Sequence, residues 1–227
     1  MTLPKQRDPE AWLRKIVAST KSYAVQNYIQ HAEVCVDAGA NVGGFIINYH
    51  NLFDKIYAFE ASEKNVEMCK EHLSRFEINN ANVAHAAVGK TAGESLILRM
   101  YDSKSDDFNC GDFSVTGFVW DDSGHGWQPS QYDEEVKSIS LEAIVELTGP
   151  IDCLKVDVEG AEYDFLYQKD LSQVNFIFME IHNFLVKLGQ GHELVDWICK
   201  THDIVTPYRG ALDSHQELVF KRKSDAV

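Results

Sequence analysis

The chain has 227 residues, 44% of them hydrophobic, and its 35 acidic against 21 basic side chains give a formal charge of −14. That length suits one well-buried α/β domain, and so acidic a chain argues against the nucleic-acid backbone as a partner, because phosphates are bound by clustered Lys and Arg. Five cysteines, odd in number, scattered and without a C-x-x-C pair, argue against a disulfide framework and a structural zinc site.

No Pro/Gly/Ser-rich linker divides the chain, which predicts a single domain over 1–227. Asp8-Pro9-Glu10 opens a first helix with a capping side chain, a proline in the first turn and an acid to meet the dipole. Trp12, Leu13, Ile16, Val17, Ala24, Tyr28 and Ile29 recur at roughly helical spacing, so 8–30 reads as a helical segment. No signal peptide precedes it and no apolar run reaches spanning length, so the expectation is a cytoplasmic protein with no membrane partner. A strand is predicted at 33–37, a helix from Gly43 to about His50, and a strand at 55–59. Ser62 caps a further helix whose Val66, Cys69, Leu73 and Phe76 fall three and four apart. A third strand covers about 82–88 and another 95–99. Beyond a long irregular stretch come a buried strand at 151–156, a helix at 160–168, a buried strand at 174–181 and a helix at 191–200. Two strands near 203–206 and 217–221 follow, and the Lys221-Arg222-Lys223 run reads as a solvated tail. Strands alternating with helices predict a doubly wound, mostly parallel sheet covered on both faces, with an antiparallel pair at one edge. Ligands of such sheets bind beyond the carboxyl ends of the strands, where Asp37, Glu60, Asp157 and His182 all fall.

The first of these ends carries the most information. Val34 to Ala38 is an apolar strand holding a carboxylate, Gly39-Ala-Asn-Val-Gly43 is a turn into a helix, and Glu60 ends the next strand about twenty residues on. The spacing of Gly39, Asn41 and Gly44 is that of G-x-G-x-x-G with its middle glycine replaced. A side chain there obstructs a pyrophosphate, and Asp37 repels a diphosphate while it attracts a cation. S-adenosylmethionine, with a sulfonium and an ammonium against one carboxylate, therefore suits the loop better than a nicotinamide dinucleotide. Its carboxylate is expected on free amides near Gly43 and Gly44, and its ribose on Glu60. The competing reading is a tight strand-to-helix turn with a solvated acid.

Two more ends add charged residues. In Leu154-Lys-Val-Asp-Val-Glu-Gly-Ala-Glu162, Lys155, Asp157 and Glu159 alternate and so share one face while the chain is extended. Glu180 and His182 alternate likewise at the end of 174–181. As structure alone, Lys155 pairs with an acid, Glu159 or Glu162 caps the following helix, and His182 is a hydrogen-bonded loop residue. As chemistry, His182 is a general base for a hydroxyl acceptor, Asp157 sits near both cofactor and acceptor, and Lys155 orients the acids or stabilises an oxyanion. A divalent metal on Asp157, Glu159 and His182 is a lesser reading, since the spacing is no known metal signature, and no metal is assigned.

Val36-Asp-Ala-Gly-Ala-Asn-Val-Gly43, Tyr57-Ala-Phe-Glu60, Ile151-Asp-Cys-Leu-Lys-Val-Asp-Val-Glu-Gly-Ala-Glu162 and Glu180-Ile-His182 together resemble the FkbM-type methyltransferases, a branch of the class I S-adenosylmethionine-dependent enzymes. The resemblance covers roughly 33–183. It implies a Rossmann-like seven-stranded sheet of order 3-2-1-4-5-7-6 with the last strand antiparallel. It also implies cofactor contacts along Asp37, Gly39, Ala40, Asn41, Val42 and Gly43, at Glu60 and Ala61, near Ala86 and Ala87, and at Asp157. O-methylation of a sugar, glycan or secondary-metabolite hydroxyl is the implied activity. Ala61-Ser62 departs from the proline that relatives usually carry after the glutamate.

Between 101 and 135 lie seven aromatic residues, nine acids and one lysine. A stretch this long without evident structure is usually functional or disordered, and the aromatics argue against disorder. It reads either as a lid and acceptor platform, hinged at Gly117, Gly124 and Gly126 with His125 and Trp127 as acceptor contacts, or as an extra strand pair packed on the core. The rival functions are an NAD-dependent oxidoreductase, against which Asn41 speaks, and a non-catalytic scaffold that keeps the fold alone.

Overall fold

Predominantly apolar runs at 34–38, 151–156 and 174–181 suit the middle of a parallel sheet, where strands are buried on both faces, and that is where the computed structural model puts them. It describes residues 9–100, 113–114, 133–182, 185–186, 188–207 and 216–224. In chain order these form α1 (Pro9–Ser19), β1 (Ala32–Ala38), α2 (Gly44–Tyr49), β2 (Phe53–Glu60), α3 (Glu63–Arg75), β3 (Ala81–His85), β4 (Ala87–Val88), β5 (Ser95–Met100), β6 (Phe113–Ser114), β7 (Asp133–Ile139), α4 (Leu141–Thr148), β8 (Ile151–Val156), α5 (Glu162–Leu166), β9 (Val174–Ile181), α6 (Gln190–Ile198), β10 (His202–Ile204) and β11 (Gln216–Arg222). The main sheet runs β10-β11-β9-β8-β1-β2-β3. β3, β2, β1, β8 and β9 are parallel, and β11 is antiparallel to both of its neighbours. This is the order 3-2-1-4-5-7-6 that the resemblance implies.

Strand periodicity of two splits the apolar residues between the faces. Leu154, Val156, Ile177, Met179 and Ile181 enter one core, under α4, α5 and α6. Cys35, Cys153, Ile56 and Phe178 enter the other, with Phe45 and Tyr49 of α2 and Leu73 of α3. Lys155, Asp37 and Glu180 alternate with the first set and so stand on the second face. That face is closed by the N-terminal segment. After α1 the chain makes two 3-10 turns, Thr20–Tyr23 and Val25–Asn27, joined through Ala24 at φ +45°, and Tyr23 packs edge-on against Phe45.

Two expectations about the elements change. The third strand does not run on to residue 88: Ala86 turns a corner, its N–H bonded to the Glu60 carbonyl at 2.9 Å, and the chain then enters a second sheet of order β4-β7-β5-β6. β7 and α4 were not predicted. β7 is Asp-Glu-Glu-Val-Lys-Ser-Ile, in which only Val136 and Ser138 are buried, so its alternation carries little apolar signal. Asp133–Glu135, the last residues of the 101–135 stretch, belong to β7, and Phe113–Ser114 pair with β5. The rest of that stretch, including Gly117, Gly124, His125, Gly126 and Trp127, lies outside the described residues, as does Asp8. Among the described residues no helix is long and apolar enough to cross a membrane.

At the amino ends of the central strands, Asp152 accepts from the N–H groups of Glu33 and Val34, both at 3.0 Å, and from Asn175 Nδ2 at 2.9 Å. The carboxylate ties β8 to β1 and β9 at the end opposite the carboxyl edge. Asp152→Ala leaves these donors without their partner and is expected to destabilise the fold by about 1–3 kcal/mol. Urea unfolding measures this, and binding of S-adenosylhomocysteine to the folded protein is expected to be unchanged.

Candidate active site

β1 and β8 end side by side, with Asp37 opposite Lys155 in register. Both side chains are buried, at 0% and 2% exposure. Lys155 Nζ lies 3.1 Å from Asp37 Oδ1 and 3.7 Å from Asp157 Oδ2, and it donates to the Gly39 carbonyl at 2.5 Å. Burial pulls the lysine pKa down, but the carboxylates of Asp37 and Asp157 outweigh it and leave the pKa raised, so the ammonium is retained. Burial raises the Asp37 carboxyl against the pull of Lys155. The ion pair thereby fixes the start of the glycine turn from below.

The turn itself needs Gly39. Its φ is +79°, and a Cβ there would overlap the backbone carbonyl of Asp157, which follows directly on β8 and donates its N–H to the Ala38 carbonyl at 3.1 Å. Asn41, at φ +50°, is a residue type that tolerates the left-handed region, and its Oδ1 accepts from the Val42 N–H at 2.8 Å. Glu60 closes the other side. It accepts from the N–H groups of Asn41 at 2.8 Å and Ser62 at 2.9 Å, and from Asn65 Nδ2 at 3.4 Å. Burial nonetheless raises its pKa, with those donors opposing.

Between these groups opens a cleft whose wall includes Gly39, Asn41, Glu60, Ala61, Ala86, Ala87, Asp157 and Glu159. Among its described lining residues there is no Lys or Arg. Ala86, Ala87 and Val88 make the wall near Glu60 apolar, which suits a purine, and the carboxylates suit a cation.

At the far end of the cleft the ends of β8 and β9 bring the second and third motifs together. His182 Nδ1 lies 2.7 Å from Glu162 Oε1, and its Nε2 lies 3.1 Å from Glu159, 3.9 Å from Glu180 and 4.0 Å from Asp157. Glu162 is fully buried, and its Oε1 also accepts from the Gly160 N–H at 3.2 Å. Burial lowers the imidazole pKa, but Glu162 and Glu159 more than reverse it, leaving His182 well above its ordinary value. Asp157 is pushed up to about 7, by burial first and by Glu180 and Glu159 beside it, with Lys155 and His182 opposing. The phenol of Tyr23 lies 3.4 Å from both Asp157 Oδ2 and Glu180 Oε2 and can donate to only one at a time.

Several expected roles are thereby altered. Asp37 does not line the cleft; it is buried beneath it as the partner of Lys155. Lys155 is likewise enclosed, so it organises the acids and the glycine turn and is not turned toward an acceptor. Ala40 and Val42 point into the cores, and Gly43 is buried against Cys69. The Gly43 amide, expected to be free for an anion, is bonded to the Ala40 carbonyl at 2.9 Å. His182 stands between carboxylates that hold its pKa well above the ordinary value, which favours the charged ring over the neutral form that a general base needs. Tyr23 was missed: nothing in its sequence surroundings separates it from the apolar face of the N-terminal segment.

A seven-stranded sheet of this order, with a cleft at its carboxyl edge floored by a glycine turn and walled by an acid ending the second strand, defines a class I methyltransferase. More particularly, the chain belongs to the FkbM methyltransferase family: the model of the methyltransferase FkbM domain matches residues 37–205. S-adenosylmethionine is the cofactor of the family, and the cleft fits it in being apolar at the corner, acidic along the wall and free of basic lining groups among the described residues. Solved structures similar to this one include a methyltransferase FkbM from Methylobacillus flagellatus KT, with 13% identity and a TM-score of 0.51, over 94% of this chain and 50% of that one. A ribosomal protein L11 methylase from Lactobacillus delbrueckii subsp. bulgaricus has 12% identity and a TM-score of 0.50, over 93% of this chain and 79% of that one. At these identities the likeness is one of fold, and the chain spans half the length of the M. flagellatus protein. No curated protein matches it by sequence.

Proposed function

We propose that this methyltransferase acts on a hydroxyl group of a small molecule or glycan. The observation that carries the reading is the position of Asp157, whose residue lines the cofactor cleft while its carboxylate stands in the cluster of Glu180, His182 and Tyr23. The cofactor supplies an electrophilic methyl group on a positively charged sulfur. In this reading Glu60 takes the ribose, Ala86 and Ala87 face the adenine, and the acids around Asp157 meet the cationic end. A hydroxyl brought to Asp157 meets acceptors for its hydrogen bond and for the proton that leaves it as attack develops, and its fixed orientation supplies much of the rate. The same acids repel a phosphate-bearing acceptor, which together with the net charge weighs against nucleic acid.

Calorimetric titration with S-adenosylhomocysteine tests the cofactor half of this reading. Binding is expected for the unaltered protein and weakened by more than about tenfold in Glu60→Gln, since the loss of one charge-assisted hydrogen bond is worth roughly 1.5–3 kcal/mol, and likewise in Ala86→Trp, whose indole fills the cleft that Ala86 lines. Binding of NADH in place of S-adenosylhomocysteine would sink it. The acceptor half is tested by labelled methyl transfer to a panel of sugars, nucleotide-free glycans and amines. Transfer to amines but to no hydroxyl in such a panel would overturn it.

A further inference from the structure

We infer that the edge of the sheet opposite the cofactor cleft carries a second small-molecule site, which takes a flat ring bearing a carboxylate or a phosphate between Tyr28, Phe176 and the cations that end β11. β11 runs antiparallel to β9, so its carboxyl end comes to the edge where β1, β8 and β9 begin. The Lys221-Arg222-Lys223 run is therefore no solvated tail. Lys221 stands opposite Phe176 in register and Arg222 opposite His202, and with the segment 28–32 the run borders a cavity of about 740 Å³. Pockets that hold small organic ligands measure roughly 300–1,000 Å³.

The wall has an aromatic part and a cationic part. Tyr28 and Phe176 are half-buried, their ring centroids 6.4 Å apart, and both rings pack on Phe178, which fixes them. Their remaining surface offers a planar ligand apolar contact. Lys221 Nζ stands 5.7 Å from the Phe176 ring centroid, so the ammonium is held over the aromatic wall. Arg222 donates to the Ser172 carbonyl, which anchors the guanidinium and leaves it further N–H groups to donate. Lys223 donates to the Cys199 carbonyl at 2.6 Å and lies 3.9 Å from Asp203. Among the described residues neither Lys221 nor Arg222 forms an ion pair with a carboxylate. Asp152 also borders the cavity, but its oxygens are taken by the amides of Glu33, Val34 and Asn175. His31 at the rim pairs with Asp54 at 3.4 Å. Consecutive cations at one mouth repel one another and are relieved by an anion, while the acids elsewhere on the chain are screened beyond about 8 Å at physiological ionic strength. Carboxylate and phosphate are the planar or multidentate anions that a guanidinium matches best. An inorganic anion leaves the rings in water, and a neutral ring leaves the cations without a partner, so both features together select an organic anion with a flat body.

Calorimetric titration of the full chain tests the site, with S-adenosylhomocysteine present to occupy the cofactor cleft and phenyl phosphate, benzoate and inorganic phosphate as probes. One phenyl phosphate or one benzoate per chain is expected, bound more tightly than inorganic phosphate, and the stronger of the two tells which acidic group the site takes. Lys221→Met and Arg222→Met are each expected to weaken that binding about tenfold, as the loss of a hydrogen bond to a charged group does, and Tyr28→Leu roughly two- to tenfold through lost ring contact. Thermal melting and unchanged binding of S-adenosylhomocysteine check that each variant folds. Failure of both aromatic probes, or binding indifferent to Lys221→Met and Arg222→Met, overturns the site. Inorganic phosphate bound as tightly as the better aromatic probe overturns the ligand class. Each of these results, with S-adenosylhomocysteine still bound, leaves the methyltransferase reading standing.

Discussion

Gly39→Ala is expected to abolish S-adenosylhomocysteine binding and to lower the stability of the fold by about 2–5 kcal/mol. About 1–2 kcal/mol comes from holding a residue with a Cβ in the left-handed region, and about 1–3 kcal/mol from the displacement the methyl group forces. The methyl group cannot coexist with the Asp157 carbonyl, because that obstacle is backbone at the end of a central strand. β1 and β8 must therefore part where they carry the site, and the bonds from Asp157 N–H to Ala38 and from Lys155 to Gly39 go with them. Urea denaturation gives the stability change and calorimetry the binding. The contrast is Gly93→Ala: Gly93 also has a positive φ, of +82°, but a Cβ there meets nothing within 4 Å. It is expected to show the conformational cost alone and to keep full binding. If Gly39→Ala binds as well as Gly93→Ala does, the close approach of β1 to β8 is not what shapes the cleft.

Gly39 also marks how far the residues could be read without coordinates. That a glycine was needed after β1 was legible, because a strand entering a helix through Gly-Ala-Asn-Val-Gly must turn within a few residues. Why it was needed was not, since the obstacle is the carbonyl of a residue 118 positions further along the chain. The same division holds for the charged groups. Alternation put Lys155, Asp157 and Glu159 on one face of a strand, and that placement survives for Lys155 and Asp157. Which acid the lysine meets depends on the register of β1 against β8, and it is Asp37.

His182 shows the limit more sharply. Histidine at a strand end beside acids reads as a base, yet the number of carboxylates within reach decides its charge, and Glu162 arrives from the first turn of α5 to hold Nδ1. Tyr23 comes from an N-terminal segment whose path over the sheet no local pattern encodes. The corner at Ala86 was hidden as well. Val83, Ala84, Ala86, Ala87 and Val88 form an apolar stretch interrupted by His85 alone, and nothing in it marks the point after Ala86, still bonded to the Glu60 carbonyl, where the chain leaves β2 for a second sheet. The fold's order of strands was legible because it follows from the alternation of elements and the motifs at their ends; the second sheet was not, because β7 exposes most of its side chains.

Lys155→Met is the second substitution with a large expected effect. It removes the cation from a pair whose two members are 2% and 0% exposed. Breaking a buried pair in this way costs about 3–5 kcal/mol, since the remaining charge stays desolvated. The cost is expected to depend on pH in a definite direction. Asp37 already has a raised carboxyl pKa in the folded chain through burial, and without Lys155, the group that opposes that rise, it goes higher. A carboxyl whose folded pKa lies above its unfolded one favours the folded state where it is protonated, and that advantage is lost as pH rises from the unfolded value through the folded one. Lys155→Met is therefore expected to be less destabilised in mild acid than at neutral pH. Asp37→Asn in the same chain replaces the stranded carboxylate by a neutral group of similar shape and is expected to restore much of the stability at neutral pH, a coupling that a double-mutant cycle in urea reads directly. Gly39 loses the donor to its carbonyl in both variants, so S-adenosylhomocysteine binding is expected to stay weak even where stability returns. Recovery of both together would mean that the lysine serves only to neutralise Asp37 and has no part in holding the glycine turn.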